Sequence, residues 1–237
     1  MVGSTPKNAS EMNLQAKLCA RTGLRCILGG PPQLNGDPCH GSAGNVDPQA
    51  LPPPSSSVWG YYLRDEPQRQ TFPSLKAQQD RIHAAHPRSL VFVNMDPPGG
   101  WFGQGSATPA AEAEYSQYLD EVKPDLLSFD CYPSFGGRRP RDLAVTPDTR
   151  AAYLAVLAIA RRQAARAAIP WWTYFNIAYF NINDEPTEAQ AAWQAFVSLA
   201  YGAKGLLYFY YKNPEKPCTR DFLIAPGILE QNSVEDT

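Results

Sequence analysis

The feature that most constrains the fold of this chain is a regular alternation of short apolar segments with longer segments of helical periodicity. Apolar runs that suit strands begin near residues 58, 89, 126, 170 and 205, about 31 to 44 residues apart, and each gap holds one predicted helix. Strands joined by such long crossovers pair in parallel, and both faces of a parallel sheet are buried. The alternation therefore predicts an α/β fold with a parallel sheet.

Periodicity, caps and turn residues place the individual elements. We predict helices over 9–22, 71–86, 109–122, 147–167 and 187–201, and strands over 24–28, 58–64, 89–94, 125–129, 169–175 and 205–211. Six strands are two short of a closed (β/α)8 TIM barrel, so we expect an incomplete barrel that lacks its first two strands. A doubly wound sheet is the alternative, but no glycine-rich phosphate loop follows the first strand.

The domain organisation follows from the same pattern. We expect residues 1–237 to form a single, partial β/α-barrel domain. A Pro/Gly/Ser-rich stretch over 30–57 is predicted to be a long loop, and 212–237 an irregular C-terminal tail.

Composition narrows the possible functions. Hydrophobic residues make up 43% of the chain and charged residues 19%, which is enough apolar material for a packed core. The formal net charge is −2 with no basic block, so nucleic acids and membranes are poor candidate partners. Five cysteines and three histidines lack the spacing of metal ligands, so we expect no metal site, no cofactor and no disulfide framework. The oligomeric state is left open.

Polar and aromatic residues follow the carboxyl ends of the predicted strands, where barrel enzymes carry their active sites. Asp65 and Glu66 end one apolar strand before Pro67, and adjacent carboxylates there are costly unless they are partnered or used. The candidates at the strand ends are Asp65, Glu66, Asn94, Asp130, Tyr132, Tyr174, Asn176, Tyr208 and Tyr210, with Trp101 and Trp172 beside them. Aromatic faces near carboxylates suit sugar rings, so a carbohydrate is the predicted substrate.

Four motifs within residues 58–211 add a family resemblance. They are Gly60-Tyr61-Tyr62-x-x-Asp65-Glu66-Pro67, Phe129-Asp130-x-Tyr132-Pro133, Pro186-Thr187-Glu188, and Ala200-Tyr201-Gly202-Ala203-Lys204-Gly205 leading to Tyr208-Phe209. Together they resemble barrel proteins related to glycoside hydrolase clan A, including the family 42 β-galactosidase-like group. The resemblance implies a general acid/base glutamate after strand four, which Glu66 matches, and a nucleophile glutamate after strand seven. Asp65 stands where the clan usually has Asn, and the strand that ends at Asn176 carries no glutamate at its tip.

The resemblance also bears on the compartment. It suggests secretion, and Asn8-Ala9-Ser10 fits a glycosylation acceptor. Residues 1–10, however, show no apolar core of a signal peptide, so the localisation is left open.

Residues and resemblance together predict a glycosidase, with activity itself an open question. Glycoside hydrolysis needs one protonated and one ionised carboxyl group. Glu66 is the predicted acid, because an apolar strand end and the neighbouring Asp65 both favour its protonated form. Asp130 is the predicted second carboxylate, two strands or about 10 Å away, which is compatible with the inverting separation of about 6.5–9.5 Å. Glu185 is the runner-up for the second carboxylate. A carboxylate just before a capped helix is also explained by its favourable interaction with the helix dipole. The alternatives are a non-catalytic carbohydrate-binding barrel and an inactive, truncated hydrolase homologue.

Overall fold

The computed structural model describes residues 2–4, 9–29, 49, 51–99, 108–138, 145–177 and 185–209. The helices in this part of the chain are α1 (Ala9–Thr22), α2 (Phe72–Ala85), α3 (Pro109–Val122), α4 (Arg150–Ala167) and α5 (Glu188–Ala200). The strands are β1 (Val2–Ser4), β2 (Cys26–Gly29), β3 (Val58–Asp65), β4 (Leu90–Met95), β5 (Leu127–Asp130), β6 (Phe135–Arg138), β7 (Val145–Asp148), β8 (Trp171–Asn176) and β9 (Gly205–Phe209). A single 3₁₀ turn, Arg69–Thr71, precedes α2.

The main sheet is parallel, as the long crossovers require. Among the described residues, seven strands form it in the order β1-β2-β3-β4-β5-β8-β9. The pairs β1–β2, β2–β3, β3–β4 and β8–β9 are all parallel. The fold is therefore α/β with the repeated β/α units of an incomplete TIM barrel, as predicted. The three-residue β1 was not predicted, because so short a segment has no readable periodicity.

The start of α4 differs from the prediction. Thr146-Pro147 is predicted to open this helix, but α4 begins at Arg150 with Thr149 at its N-cap. Thr146 instead lies in β7, opposite Gly137 of β6, in an antiparallel pair. A Thr-Pro pair suits a helix start and a strand outside the main sheet equally well, so only the pairing with β6 distinguishes the two.

The chain divides into two compact units. The first comprises Met1–Met95 and Ser116–Ser128, and the second comprises Asp96–Tyr115 and Phe129–Thr237. In the first unit, Phe72 of α2 packs on Tyr118 of α3 with ring centroids 5.5 Å apart. Both side chains are fully buried, and burial of a large apolar side chain contributes about 1.5–3 kcal/mol. The expected single domain stays a prediction.

The core of the second unit is a row of aromatic rings. Phe129 of β5 lies between Tyr115 of α3 and Trp171 of β8, at centroid distances of 6.0 and 5.7 Å. Tyr153 of α4 is also buried, and its hydroxyl is hydrogen-bonded to that of Ser198 in α5 at 2.8 Å. These contacts join α3 to β5, β5 to β8, and α4 to α5.

Candidate active site

An irregularity near the end of β3 sets the direction of Asp65. Tyr62 pairs with Phe92 of β4 and Asp65 pairs with Asn94, so β3 has one more residue than β4 between these two pairs. Such a bulge changes the face on which the following residues lie. It brings Asp65 to the face of Tyr62, whose hydroxyl donates a hydrogen bond to Asp65 Oδ1 over 2.7 Å. A regular strand would have placed Arg64 on that face instead.

Asp65, Asn94 and Ser128 form a hydrogen-bonded chain across β3, β4 and β5. Asn94 Nδ2 donates to Asp65 Oδ1 over 3.1 Å, and the Ser128 hydroxyl donates to Asn94 Oδ1 over 3.1 Å. Asn94 and Ser128 are both buried. Because Asn94 uses both ends of its amide, its orientation is determined and it holds the Asp65 carboxylate in one place. We call Tyr62, Asp65, Asn94 and Ser128 the Asp65 network.

Two members of the Asp65 network were missed by sequence reasoning. Tyr62 was read as part of an apolar strand and of a family motif but was given no role, and Ser128 lies between Leu127 and Phe129 in another strand. A serine inside such a strand is a usable signal, because a buried hydroxyl needs a hydrogen-bond partner. Tyr62 gave no comparable signal, since its contact depends on the bulge.

Glu66 is held in a strained backbone conformation directly after β3. Its φ is +41°, in the left-handed region, and its N–H donates to the Asn94 carbonyl oxygen over 2.8 Å. For a residue other than glycine this conformation costs about 1–2 kcal/mol. Residues held in such conformations cluster at functional sites. Asn94 therefore anchors Glu66 through its backbone and Asp65 through its side chain, while Glu66 itself stays half-buried.

Asp130, the last residue of β5, belongs to the second unit. It is 6% exposed, and the Tyr132 hydroxyl donates a long hydrogen bond of 3.4 Å to its Oδ2. The ring of Tyr132 lies 5.5 Å from that of Phe209 at the end of β9. A buried carboxylate and a pair of aromatic rings thus lie near each other at the carboxyl end of β5.

The thiol and the phenol near Asp130 are poor candidates for catalysis. Burial raises the pKa of the Cys131 thiol, and the charge of Asp130 raises it further. Burial also raises the pKa of Tyr115, and the nearby Cys131 and Asp130 add to this shift. The Tyr115 hydroxyl donates to the Asp96 carbonyl oxygen over 2.9 Å. Both groups stay protonated at neutral pH, which leaves Asp130 as the candidate in this region.

Trp172, Tyr174 and Asn176 share one face of β8, since strand residues alternate in direction. Trp172 lies against Gly205 of β9, where an added Cβ would come within 2.7 Å of the indole. Gln194 of α5 fixes the backbone of Asn176: its Oε1 accepts from the Asn176 N–H over 3.0 Å, and its Nε2 donates to the Asn176 carbonyl over 3.1 Å. This face therefore carries two half-buried aromatic rings and a buried amide at the carboxyl end of the strand.

Tyr208 lies on the opposite face of the sheet from these three residues. It pairs in register with Phe175, and the two ring centroids are 4.8 Å apart. Phe175 alternates with Tyr174 and Asn176, so the sheet separates Tyr208 from them. The sequence grouped Tyr208 with the other candidates by its place along the strand, whereas its face depends on the register with β8.

The remaining candidates are Glu185, Trp101 and Tyr210. Glu185 is exposed and precedes Thr187, which caps α5 through a capping box with Gln190. A carboxylate near the N-terminus of a helix is stabilised by the helix dipole, and this is the alternative to a catalytic role for Glu185. Trp101 and Tyr210 lie outside the described residues.

The described residues contain no group of three or more His, Cys, Asp or Glu side chains that could hold a metal ion. Of the helices described, none combines the length and hydrophobicity needed to cross a membrane.

Comparison with known proteins identifies glycosidases as structural neighbours. A crystal structure described as a "putative alpha-L-fucosidase" from Bacteroides thetaiotaomicron matches with 12% identity and a TM-score of 0.49, covering 70% of this chain and 50% of that chain. A glycoside hydrolase family 5 mannosidase from Rhizomucor miehei matches with 17% identity and a TM-score of 0.48, covering 73% and 45%. The chain thus spans about half the length of these structures. No family model and no curated protein matches the sequence. Neither structure is described as a family 42 enzyme, so that part of the resemblance stays a prediction.

Proposed function

We propose that this chain is a glycoside hydrolase-like barrel that acts on a glycosidic bond, with Glu66 as its general acid/base. The observation that supports this most is the left-handed backbone of Glu66, directly after β3 and beside the Asp65 network. Barrel enzymes carry their catalytic groups at the carboxyl ends of parallel strands. A carboxyl group held there at a cost of about 1–2 kcal/mol is consistent with preorganisation for catalysis.

The chemistry requires a second carboxylate. Protonated Glu66 donates its proton to the glycosidic oxygen while the bond to the anomeric carbon breaks. Asp130 either attacks that carbon, forming an intermediate that water hydrolyses, or takes a proton from the water that attacks it directly. Asp130 is favoured over Glu185, because it is buried at a strand end whereas Glu185 is exposed beside a helix cap. A separation of about 5–5.5 Å between the two carboxyl groups would give retention, and about 6.5–9.5 Å inversion. The anomeric configuration of the first-formed product, read by NMR, distinguishes these two routes.

Sugar recognition is proposed for the aromatic and amide groups at the strand ends. Tyr132, Trp172 and Tyr174 offer ring faces against which the apolar C–H face of a sugar can stack. Asn176 offers an amide to the sugar hydroxyls. Trp101 and Tyr210, predicted from sequence, complete the proposed set.

The test is a comparison of Glu66→Gln with wild type on a panel of aryl glycosides. Glutamine keeps the size of the side chain but cannot donate the proton. We expect kcat/KM to fall by about 10²–10⁴-fold for substrates with poor leaving groups, and by less for an activated dinitrophenyl leaving group that needs little protonation. Glu185→Gln should stay close to wild type if Asp130 is the second carboxylate, and a comparable fall in that variant would assign the role to Glu185. Unchanged turnover in Glu66→Gln would remove Glu66 as the acid.

A non-catalytic carbohydrate-binding barrel is the second candidate. It is favoured by Asn176 at the end of β8, where the resemblance to clan A implies a nucleophile glutamate. An inactive hydrolase homologue is the third candidate. Titration calorimetry with the same sugars, on wild type and on Trp172→Ala, separates these. If the sugars bind without turnover and Trp172→Ala weakens that binding, the binding barrel is supported. If neither binding nor turnover is observed, the inactive homologue is supported.

A further inference from the structure

One member of the Asp65 network has no part in the proposed chemistry. Ser128 lies between Leu127 and Phe129 in β5, and all three residues are fully buried. A hydroxyl in that place cannot touch a sugar. Among the described residues, its hydrogen bond is the one of 3.1 Å to Asn94 Oδ1. Any contribution of Ser128 to the site therefore passes through Asn94.

The direction of that hydrogen bond is determined at the other end of the network. An ionised carboxylate only accepts hydrogen bonds, so Asn94 turns its donating Nδ2 toward Asp65 Oδ1. The amide oxygen of Asn94 then faces away from Asp65, and it needs a donor because the side chain is buried. The hydroxyl of Ser128 is that donor. Without it, the amide would be held at one end only, and its contact with Asp65 would loosen.

The side chain of Asp65 matters because a strained residue follows it directly. Glu66 has a φ of +41°, and such a conformation persists only where surrounding contacts hold it. One contact is the hydrogen bond of 2.8 Å from the Glu66 N–H to the Asn94 carbonyl oxygen. The other is the Asp65 side chain, whose Oδ1 accepts from Asn94 over 3.1 Å and from Tyr62 over 2.7 Å. Asn94 thus takes part in both.

We propose that Ser128 is a positioning residue for Glu66. By fixing the amide of Asn94, it holds the Asp65 carboxylate and, through it, the left-handed backbone that carries the Glu66 carboxyl group. Its effect on turnover rests on the proposed role of Glu66 as general acid/base, whereas its hold on Asp65 does not. The two effects have separate tests.

The first test is the steady-state kinetics of Ser128→Ala on the aryl glycosides used for Glu66→Gln. We expect kcat to fall by about 2–10-fold, as for the loss of one hydrogen bond, with KM unchanged, because Ser128 touches no substrate and the proton of Glu66 moves in the transition state. Ser128→Cys keeps the size of the side chain and a weaker donor, so its kcat should lie between those of wild type and Ser128→Ala. It also provides the comparison with wild type if Ser128→Ala does not fold.

Ser89→Ala is the matched control. Ser89 is a buried serine of the same unit, just before β4, and its hydroxyl donates to the His86 carbonyl oxygen over 2.7 Å. Removing it also costs one hydrogen bond, but at the amino end of the strand, so kcat should stay at the wild-type value. A fall in kcat as large as that of Ser128→Ala, or a rise in KM alone in Ser128→Ala, would overturn the proposal.

The second test is a double-mutant cycle on stability, which needs no turnover. Tyr62→Phe removes the other donor to Asp65 Oδ1 and keeps the aromatic ring. The hydrogen bonds described link Ser128 to Tyr62 through Asn94 and Asp65. The shifts in urea midpoint from Ser128→Ala and Tyr62→Phe should therefore be non-additive, whereas those from Ser89→Ala and Tyr62→Phe should add. Additive shifts in the first pair would overturn the proposal.

The two tests also separate this proposal from the proposed function. Wild type without turnover on the whole panel would refute the glycosidase activity, and the stability cycle would still decide whether Ser128 holds Asp65. Turnover that Glu66→Gln removes but that Ser128→Ala leaves at the wild-type kcat would overturn the positioning role alone.

Discussion

Replacing Glu66 with glycine should stabilise the protein relative to alanine at the same position while removing the proposed acid. The φ of +41° at Glu66 is unfavourable for any residue with a Cβ, and both substitutions delete the same carboxyl group. The comparison between Glu66→Gly and Glu66→Ala therefore isolates the backbone strain from the contacts of the side chain.

The magnitude follows from two opposing terms. The left-handed conformation costs an L-residue about 1–2 kcal/mol, and glycine adopts it without that penalty. Glycine in turn loses about 0.5–1 kcal/mol more conformational entropy on folding. The difference predicts that Glu66→Gly is more stable than Glu66→Ala by about 0.5–1 kcal/mol, or about 1–4 °C in Tm for a chain of this size.

Urea denaturation of the two variants at neutral pH measures this difference, provided that their m-values agree. Ala168→Gly calibrates the size of the effect, because Ala168 at the end of α4 has a φ of +54° and no proposed role in catalysis. If Ala168→Gly gains stability but Glu66→Gly is no more stable than Glu66→Ala, Glu66 carries no stored strain. The backbone conformation of Glu66 would then no longer support its proposed role in catalysis.

Two further predictions concern stability. Gly60→Ala should destabilise the first unit by at least about 3 kcal/mol, because a Cβ there would lie 1.9 Å from the Leu90 carbonyl oxygen of the paired strand; a urea midpoint near that of wild type would contradict this. Arg162→Ala should cost about 0.5–1 kcal/mol at pH 7, since Arg162 donates two hydrogen bonds, of 3.0 and 2.8 Å, to Glu112. The Arg162 hydrogen bonds, and then that from Gln163, lower the pKa of Glu112 from its ordinary 4.5, so this stabilisation is present above pH 4.5 and is lost as the pH falls through the lowered pKa. The difference between wild type and Arg162→Ala, measured from pH 7 to pH 3, should therefore shrink at the acid end; a constant difference would contradict the ion pair.

Local signals predicted most of the secondary structure. The helix predicted over 9–22 is α1 (Ala9–Thr22), and the capping box of Thr187 and Gln190 opens α5 as its residues indicate. Helix caps and apolar periodicity act within a few residues of one another, so they can be read from sequence. The hairpin of β6 and β7 was missed, because it depends on a pairing between segments that carry no strong strand pattern of their own.

The candidate site was predicted only in part. Asp65, Glu66 and Asn94 were placed together because the carboxyl ends of parallel strands meet at one edge of a sheet. Their hydrogen bonds were not predictable, because the bulge in β3 determines which face Asp65 occupies. Likewise, Tyr208 was grouped with Trp172 by its place along β9, but its register with β8 puts it on the other face.

The order of apolar and helical segments was enough to determine a parallel α/β fold with acidic, amide and aromatic residues at its strand ends. It was enough because strand and helix periods, and the length of the crossovers, are local properties of the chain. The tertiary structure alone decided that β3 bulges before Asp65, that Glu66 adopts a left-handed backbone, and that Ser128 closes the network with Asn94. These features arise where β3 must pair with β4 and β4 must lie beside β5, so they depend on residues about 30 positions apart that no local pattern relates.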